Sequence, residues 1–271
     1  MNSQTYRLGF VGAGKLAGSV IRGLALAKFC GPGEMIASEP REQTRADLER
    51  DVDLVFAADN AELAEKAETI LIGVKPGAVL PVLRHIADKI DNKLVISLAA
   101  GVRAASMEKL ARARFMRAMT NAPAAICQAA TAIAKGCRTT NKDVDVARKI
   151  FSAIGVVAEV TEEQIDVATA LCGSGPAFVY TVIEALANGA EKMGLGPDVA
   201  LKLATQTALG AAQFARESKL SPEALRKLVV TPGGTTAAGL AEIEKREMAA
   251  SLMAAVEAAT MRGKEMAQEN I

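Results

Sequence analysis

Residues 8–17 read LGFVGAGKLA, and this stretch decides the fold of the N-terminal part of the chain. The first four residues are typical of a buried strand, and the next six form the pattern G-x-G-x-x-A before a helical segment. Gly12 permits a tight turn, Gly14 lets a pyrophosphate approach the backbone, and Ala17 allows close helix–strand packing. The stretch therefore predicts a dinucleotide-binding turn, and its alternative is a merely tight connection between a strand and a helix.

Short β-type segments alternate with helical patterns over the first 160 residues. Strands are predicted at residues 7–11, 35–37, 54–56, 69–74, 94–98 and 115–119. Helices are predicted between them at residues 15–29, 41–50, 61–66, 78–89 and 104–111. Segments 131–134 and 156–160 add edge strands around a helix at 142–153. Such alternation with short connections predicts a parallel sheet with helices on both faces.

From Thr161 onward the strand signals disappear and long alanine-rich helices follow. They are predicted at residues 162–172, 176–193, 197–217, 222–228, 235–245 and 247–268. Small side chains favour both high helix propensity and close helix packing, which could occur between subunits. We therefore expect two domains, a dinucleotide-binding domain at 1–160 and an all-helical domain at 161–271.

Composition excludes several kinds of chemistry. His85 is the only histidine, which rules out a two-histidine zinc site. A Ser-His-Asp triad would have to use His85 itself as its base. The formal net charge of +1 favours neither nucleic acid nor an anionic membrane surface. The four cysteines form no C-x-x-C pair, which is typical of buried thiols in a reducing compartment.

The hydropathy pattern bears on location. No apolar run reaches the roughly 18 residues of a membrane helix, and residues 177–190 carry Glu184 and Asn188 in their middle. No signal or transit peptide is visible at the N-terminus. We expect a cytoplasmic protein with a small-molecule substrate and no metal, nucleic-acid or membrane partner.

Three stretches follow predicted strands, at the edge where ligands of an open α/β sheet bind. They are GVKP at residues 73–76, SLAAGV at 97–102 and MTNAP at 119–123. Each could be turn chemistry alone, but together we expect them to line the cofactor pocket. The cofactor-binding candidates are Gly12, Ala13, Gly14, Lys15, Leu16, Ser38, Arg41, Asn60, Val74, Lys75, Pro76, Ala99, Ala100, Gly101 and Asn121.

The end of the second strand gives mixed signals about the cofactor. Ser38 and Arg41 could hold the 2′-phosphate of NADPH, whereas Glu39 would repel it. An acid at this point of the fold binds the ribose 2′-hydroxyl of NAD. The spacing alone does not choose between NADPH and NADH.

Two glycine-containing stretches precede predicted helices in the C-terminal part. Residues 171–177 read LCGSGPA and residues 230–237 read VTPGGTTA. Free N–H groups at a helix start form a ready carboxylate site, and the Thr235 and Thr236 hydroxyls can donate and accept hydrogen bonds. The alternative for both stretches is ordinary helix capping by serine or threonine.

In their order along the chain, these stretches resemble the pyrroline-5-carboxylate reductases. The resemblance covers essentially the whole chain, and its most specific part is PGGTT at residues 232–236. It implies a Rossmann-type α/β domain followed by an all-α dimerisation domain. It also implies that 1-pyrroline-5-carboxylate is reduced to L-proline, the last step of proline synthesis, by NADPH or alternatively by NADH.

The resemblance also implies residue roles and an assembly. Thr236 would be the catalytic residue and would hydrogen-bond the ring nitrogen. The substrate would bind at Thr231, Gly233, Gly234, Thr235 and Thr236. Two subunits of a homodimer would build each active site, and dimers would assemble into a larger ring such as a decamer.

The chain departs from the family pattern at four places. The family often has His-Pro-Gly at residues 221–223, an acid at Lys227 and serine at Thr231. These three differences do not touch the proposed reacting atoms. At Glu39 the family usually has a small polar residue, and this difference bears on the preference for NADPH.

Two other functions stay open. A β-hydroxyacid dehydrogenase would need a lysine acid/base in the helical domain, and Lys192, Lys202 and Lys245 lie in no matching motif. A non-catalytic NAD(P)-sensing regulator would keep residues 12–17 but would not need residues 233–236.

Overall fold

The computed structural model describes residues 5–269. Contacts divide these residues into two compact units. One unit runs through Ser174 and includes the chain from Glu257 onward, and the other is Gly175–Val256. The predicted domain boundary at residue 160 stays a prediction. The expected lack of a targeting segment depends partly on residues 1–4, which lie outside the described part.

Within residues 5–269, the first unit is built on one eight-stranded sheet. Its strands are β1 (Tyr6–Val11), β2 (Met35–Ser38), β3 (Val55–Phe56), β4 (Ala67–Ile72), β5 (Leu94–Ser97), β6 (Arg114–Met119), β7 (Ala129–Lys135) and β8 (Gly155–Glu159). They lie in the order β3-β2-β1-β4-β5-β6-β7-β8, and neighbours are parallel except at β6–β7. The chain reverses its direction across the sheet between β1 and β4, which creates the crevice where such sheets bind ligands.

Helices connect the strands of the first unit. They are α1 (Lys15–Leu26), α2 (Glu42–Glu49), α3 (Asn60–Lys66), α4 (Pro76–Ile86), α5 (Ala104–Glu108) and α6 (Asn141–Ser152). The predicted elements are confirmed, with ends that move by a few residues. The first helix stops at Leu26 instead of residue 29, because Lys28 adopts a positive φ of 53° that a helix does not allow.

The sheet is buried on both faces. One apolar cluster on the sheet includes Phe10, Leu24 and Phe151, and a second includes Ile70 and Phe115. Successive strand side chains point to opposite faces, so the apolar run Ile70–Ile72 at the end of β4 supplies both clusters. Burying each large side chain stabilises the fold by about 1.5–3 kcal/mol. The two-sided core fixes the strand ends that carry the candidate site.

The second unit is helical. Its elements are α8 (Gly175–Lys192), α9 (Pro197–Ser218), α10 (Pro222–Val229), α11 (Thr235–Lys245) and the first part of α12 (Met248–Glu269). Ser221 caps α10, where its hydroxyl accepts a hydrogen bond from the Ala224 N–H at 3.2 Å. Large apolar side chains stay exposed on these helices, among them Tyr180, Leu203 and Phe214, each more than half exposed. This is a surface that suits a protein partner.

Helix α8 begins at Gly175, next to the predicted start at residue 176, but the stretch at residues 171–177 is not the free helix start that the sequence predicts. Helix α7 (Ile165–Ala168) continues through a π-helical turn at Thr169–Gly173 into α8, and Ser174 keeps helical dihedral angles. Its N–H donates to the Thr169 carbonyl, so this backbone group is not free for a carboxylate. A widened turn inside a helix cannot be recognised from glycine and proline alone.

The helix from Ile165 to Lys192 differs from what the hydropathy pattern of the sequence predicts. Within the described residues it is the one helix long and apolar enough to cross a membrane, judged by length and composition alone. The expectation that no segment reaches this length is wrong, because the chain stays helical through the stretch assigned to a turn.

Helix α6 starts with a capping box that is tied to the sheet. The Thr140 hydroxyl accepts a hydrogen bond from the Asp143 N–H at 3.3 Å, and the Asp143 carboxylate accepts one from the Thr140 N–H at 2.9 Å. Arg114 on β6 donates to the same carboxylate through Nε at 2.9 Å. Burial by itself would raise the pKa of Asp143, but the hydrogen bonds from Thr140 and Arg114 lower it below its usual value.

We expect Asp143→Asn to lower the free energy of unfolding by about 2 kcal/mol at neutral pH, because Arg114 loses its ionised partner. A lowered folded-state pKa means that the carboxylate stabilises the fold above its unfolded pKa of about 3.9 and loses this effect as pH falls through the folded value. Urea unfolding at pH 7 and near pH 3 checks this. The exposed Asp145→Asn on the same helix is the control, and a pH-independent difference for Asp143→Asn would contradict the argument.

Candidate active site

The turn between β1 and α1 has the geometry that its sequence predicts. Gly12 adopts a φ of +82°, and its N–H donates to the Ser38 carbonyl at 2.8 Å. A Cβ on Gly12 would lie 2.7 Å from Cγ1 of Val74, so both the dihedral angle and the space require glycine. Gly14 is the N-cap of α1 and has no side chain to bond the first N–H groups. These groups are left for a ligand with phosphate oxygens.

Gly73, directly after β4, touches the same turn. A Cβ at Gly73 would lie 2.5 Å from Cβ of Ala17 and 2.6 Å from the Gly12 carbonyl oxygen. The Gly73 N–H donates to the Val11 carbonyl at 2.8 Å, which fixes the backbone there. The structure therefore brings the candidates of residues 12–16 and 74–76 together at one edge of the sheet. Lys75 is exposed as the N-cap of α4.

The residues after β5 are packed more tightly than the sequence indicates. The Ala99 N–H donates to the Ser97 hydroxyl at 3.3 Å, and Ala99 is buried. Gly101 adopts a φ of +65°, and a Cβ there would lie 2.7 Å from Cβ of Met266 near the chain's C-terminal end. These candidates lie beyond the end of β5, with Gly101 under α12.

Asn121 makes structural hydrogen bonds with both ends of its amide. Its Oδ1 accepts from the Ala130 N–H at 3.2 Å, and its Nδ2 donates to the Cys172 carbonyl at 3.0 Å. The Cys172 carbonyl belongs to the π-helical turn, where the regular hydrogen-bond ladder of a helix is interrupted. Sequence reasoning missed this contact, because the two residues are 51 positions apart.

Three further candidates lie around the end of β2 and the start of α3. Ser38 is buried, Arg41 is exposed, and Asn60 is the half-buried first residue of α3. Sequence reasoning did not include Glu39 among the binding residues, although an acid at the end of the second strand is the signal that could have placed it there. Glu39 is buried, and its Oε2 accepts a hydrogen bond from the Ala13 N–H at 3.1 Å.

The second unit carries the other predicted turn. The Gly234 N–H donates to the Thr231 carbonyl at 3.0 Å, and Gly233 between them has a φ of +70°. Proline at the second position and glycine at the third are typical of a type II turn. Helix α11 begins at Thr235 with Gly234 as its N-cap, and no side chain caps it. Its first N–H groups therefore have no acceptor within the helix.

The two threonines of this turn differ in exposure. Thr235 is exposed and Thr236 is half-buried. A Cβ on Gly234 would lie 2.3 Å from Oγ1 of Thr231, which explains glycine at that position. Among residues 5–269, no group of three or more His, Cys, Asp or Glu side chains is placed to hold a metal ion.

A glycine turn at the crevice of a parallel sheet, in one chain with a helical unit, is typical of an NAD(P)-dependent oxidoreductase. Residues 7–101 match the family described as NADP oxidoreductase, coenzyme F420-dependent. Residues 162–266 match the family described as pyrroline-5-carboxylate reductase dimerisation.

Full-length relatives agree with these matches. A pyrroline-5-carboxylate reductase of Methanosarcina acetivorans is 37% identical over 98% of this chain and 100% of its own, and one of Arabidopsis thaliana is 34% identical over 98% and 97%. A crystal structure of the Plasmodium falciparum pyrroline carboxylate reductase with NADP bound has a TM-score of 0.88 at 28% identity, over 98% of this chain and 100% of its own. A pyrroline-5-carboxylate reductase structure from Coxiella burnetii has a TM-score of 0.89 at 32% identity, over 97% and 99%.

The chain belongs to the pyrroline-5-carboxylate reductase family. Its activity is the reduction of 1-pyrroline-5-carboxylate to L-proline, with NADPH or NADH as the hydride donor. The helical region is a dimerisation domain, so the protein forms a homo-oligomer that acts on a small molecule. Neither the β-hydroxyacid dehydrogenase nor the NAD(P)-sensing alternative gains support from these relatives.

We expect Gly73→Ala to raise the Kd for the nicotinamide dinucleotide roughly tenfold or more, because the added methyl group must displace Ala17 or the Gly12 carbonyl. Gly77→Ala, in the exposed first turn of α4, meets no atom within 4 Å and should leave the Kd nearly unchanged. Fluorescence titration with the reduced nucleotide measures both values. Equal affinities for the two variants would show that the close contact at Gly73 does not shape the cofactor site.

Proposed function

We propose that the family's reaction uses a cofactor bound at the turn Gly12–Leu16 and a substrate held at Thr231–Thr236. The observation that carries this proposal is the type II turn at Thr231–Gly234, which places the free N–H groups of α11 beside two threonine hydroxyls. The remaining cofactor contacts are proposed for Ser38, Arg41, Asn60, Val74, Lys75, Pro76, Ala99, Ala100, Gly101 and Asn121. The same proposal assigns residues 1–160 to the cofactor and 161–271 to substrate binding and dimerisation.

The protein contributes orientation and electrostatics to this reaction. The nicotinamide supplies the hydride when it is bound. Backbone N–H groups of Thr235 and Thr236 would hold the substrate carboxylate, because the start of α11 offers both donors and the positive end of the helix dipole. The Gly234 N–H is already bonded to the Thr231 carbonyl and is not available. The Thr236 hydroxyl would hydrogen-bond the ring nitrogen and orient the imine carbon toward the nicotinamide. Such a contact supplies about 1–3 kcal/mol of transition-state stabilisation.

We expect Thr236→Ala to lower kcat/KM roughly tenfold or more, because the ring nitrogen loses its hydrogen-bond partner. Affinity for the nucleotide should not change, since the substrate turn is proposed to touch the carboxylate and ring of the substrate. Thr236→Ser keeps the hydroxyl and serves as the matched variant, which should retain most of the activity. Steady-state kinetics with 1-pyrroline-5-carboxylate provide the measurement, and unchanged kinetics in Thr236→Ala would remove Thr236 from the site.

We also propose that two subunits of a homodimer build each active site and that dimers form a larger ring such as a decamer. Two observations support the dimer: the match of residues 162–266 to a dimerisation family and the exposed apolar side chains of α8 and α9. Leu201, Leu203 and Leu209 on α9 are each more than half exposed, and a partner subunit would bury these side chains. Contact of this kind would also cover the apolar helix Ile165–Lys192 without any membrane.

Subunit mixing tests the shared site. Thr236→Ala and a cofactor-binding variant such as Gly12→Val are co-expressed with different tags. If each site uses the Rossmann-type unit of one subunit and Thr236 of the other, random dimers should carry about a quarter of intact sites. If each subunit builds its own site, the mixture should have only the residual activity of the two variants. Each variant purified alone provides the baseline.

We propose that the protein works in the cytoplasm and binds neither nucleic acid nor a membrane. The near-balance of 32 basic and 31 acidic residues supports this location and choice of partners. Glu184 and Asn188, in the middle of α8, would be costly in a lipid environment.

A further inference from the structure

Glu39 follows β2 directly and lies against the glycine turn. Its side chain is only 4% exposed. Oε2 accepts a hydrogen bond from the Ala13 N–H at 3.1 Å, and Oε1 accepts one from the Arg41 N–H at 3.2 Å. The carboxylate is therefore attached to the loop that cradles the pyrophosphate and cannot swing away without breaking these bonds.

The Arg41 side chain is joined to the same carboxylate by two contacts. Its Nε donates to Oε1 of Glu39 at 2.8 Å, and its Nη2 donates to Oε2 at 3.2 Å. This fork-like pairing is the geometry in which arginine binds carboxylates most strongly. The guanidinium is nonetheless 63% exposed, so its other N–H groups face solvent.

The carboxylate is ionised when the cofactor binds. Burial by itself would raise the pKa of Glu39, but the hydrogen bonds from Arg41 and Ala13 together lower it below its usual value. At neutral pH the end of β2 therefore holds an ionised carboxylate that is paired with Arg41.

This position meets the adenosine ribose. The glycine turn and the start of α1 would hold the pyrophosphate, and the attached ribose would then reach the end of β2. NADH presents a 2′-hydroxyl there, which can donate a hydrogen bond to a carboxylate. NADPH presents a 2′-phosphate, a group that a carboxylate repels and an arginine attracts.

We propose that Glu39 is the residue that sets coenzyme choice, because it holds Arg41 away from the 2′-phosphate of NADPH, whereas NADH carries no phosphate there and needs no such cation. Both coenzymes bind, but the phosphate must compete with Glu39 for the guanidinium. The wild-type protein then uses NADH at least as well as NADPH. This inference rests on the proposed function only in that the nucleotide binds at the glycine turn.

Ser38 does not take over the role of Glu39 and Arg41. Its side chain is buried within β2, and its carbonyl accepts the Gly12 N–H. Arg41 is thus the exposed group at this end of the strand that can bind a phosphate, and Glu39 controls its availability.

Nucleotide binding in the absence of substrate tests the proposal. Wild type, Glu39→Ser and Glu39→Gln are titrated with NADH and NADPH by nicotinamide fluorescence. The ratio of Kd for NADH to Kd for NADPH should rise roughly tenfold or more in Glu39→Ser, since the charge is removed and Arg41 is released. Glu39→Gln keeps an acceptor for the Ala13 N–H and should shift the ratio in the same direction by a smaller factor.

Two further variants separate this effect from general electrostatics. Arg41→Gln should move the ratio toward NADH, because the 2′-phosphate then faces Glu39 without a cation. Glu42→Gln makes the same change of charge at an exposed position in the first turn of α2 and should leave the ratio within about twofold of wild type.

The outcomes are distinct. An unchanged ratio in Glu39→Ser, or a shift in Glu42→Gln as large as in Glu39→Ser, overturns the proposal. If Glu39→Ser and Glu39→Gln lose affinity equally for both nucleotides while the circular dichroism spectrum is unchanged, Glu39 only shapes the turn. This result also overturns the proposal. Failure of the proposed function has a different signature, because substrate reduction would then be missing while the binding ratio still responds to Glu39.

Discussion

Three small residues meet where β1, β4 and the start of α1 converge, and the rest of the first unit depends on this contact. The space at Gly73 is closed by Cβ of Ala17 and the carbonyl of Gly12, each within 2.6 Å of where a Cβ would lie. Because no side chain separates these backbones, the helix start lies directly at the carboxyl ends of the central strands. The first N–H groups of α1 then face the crevice where the sheet order reverses.

The same close packing explains how a protein with one histidine carries out an oxidoreduction. The cofactor brings the hydride, so the chain must position two ligands and need not supply a strong acid or nucleophile. Backbone N–H groups at the starts of α1 and α11 need only glycine turns and free helix ends, both of which the structure provides. His85 is exposed on the last turn of α4 and takes no part in the proposed mechanism.

Much of the fold and part of the site could be predicted from the sequence. The turn at residues 12–17 and the turn at 231–236 are short. The first is specified by its glycines, and the second by a proline and two glycines. The starts of α9 and α10 at Pro197 and Pro222 follow from the same local rules. Local rules missed the π-helical turn at Thr169–Gly173, where the Asn121 amide donates to the carbonyl of Cys172.

The sequence by itself determined the order of strands and helices, the two glycine turns and the family, because these depend on residues only a few positions apart. Only the tertiary structure decided how charged groups are used. Glu39 meets Ala13 across 26 positions, and buried Arg117 on β6 meets Glu162 across 45. Hydrophobic periodicity and turn chemistry carry no information about such pairs, since they form only when distant segments pack together. A residue that seemed to conflict with its cofactor site is, in the folded protein, bonded into that site.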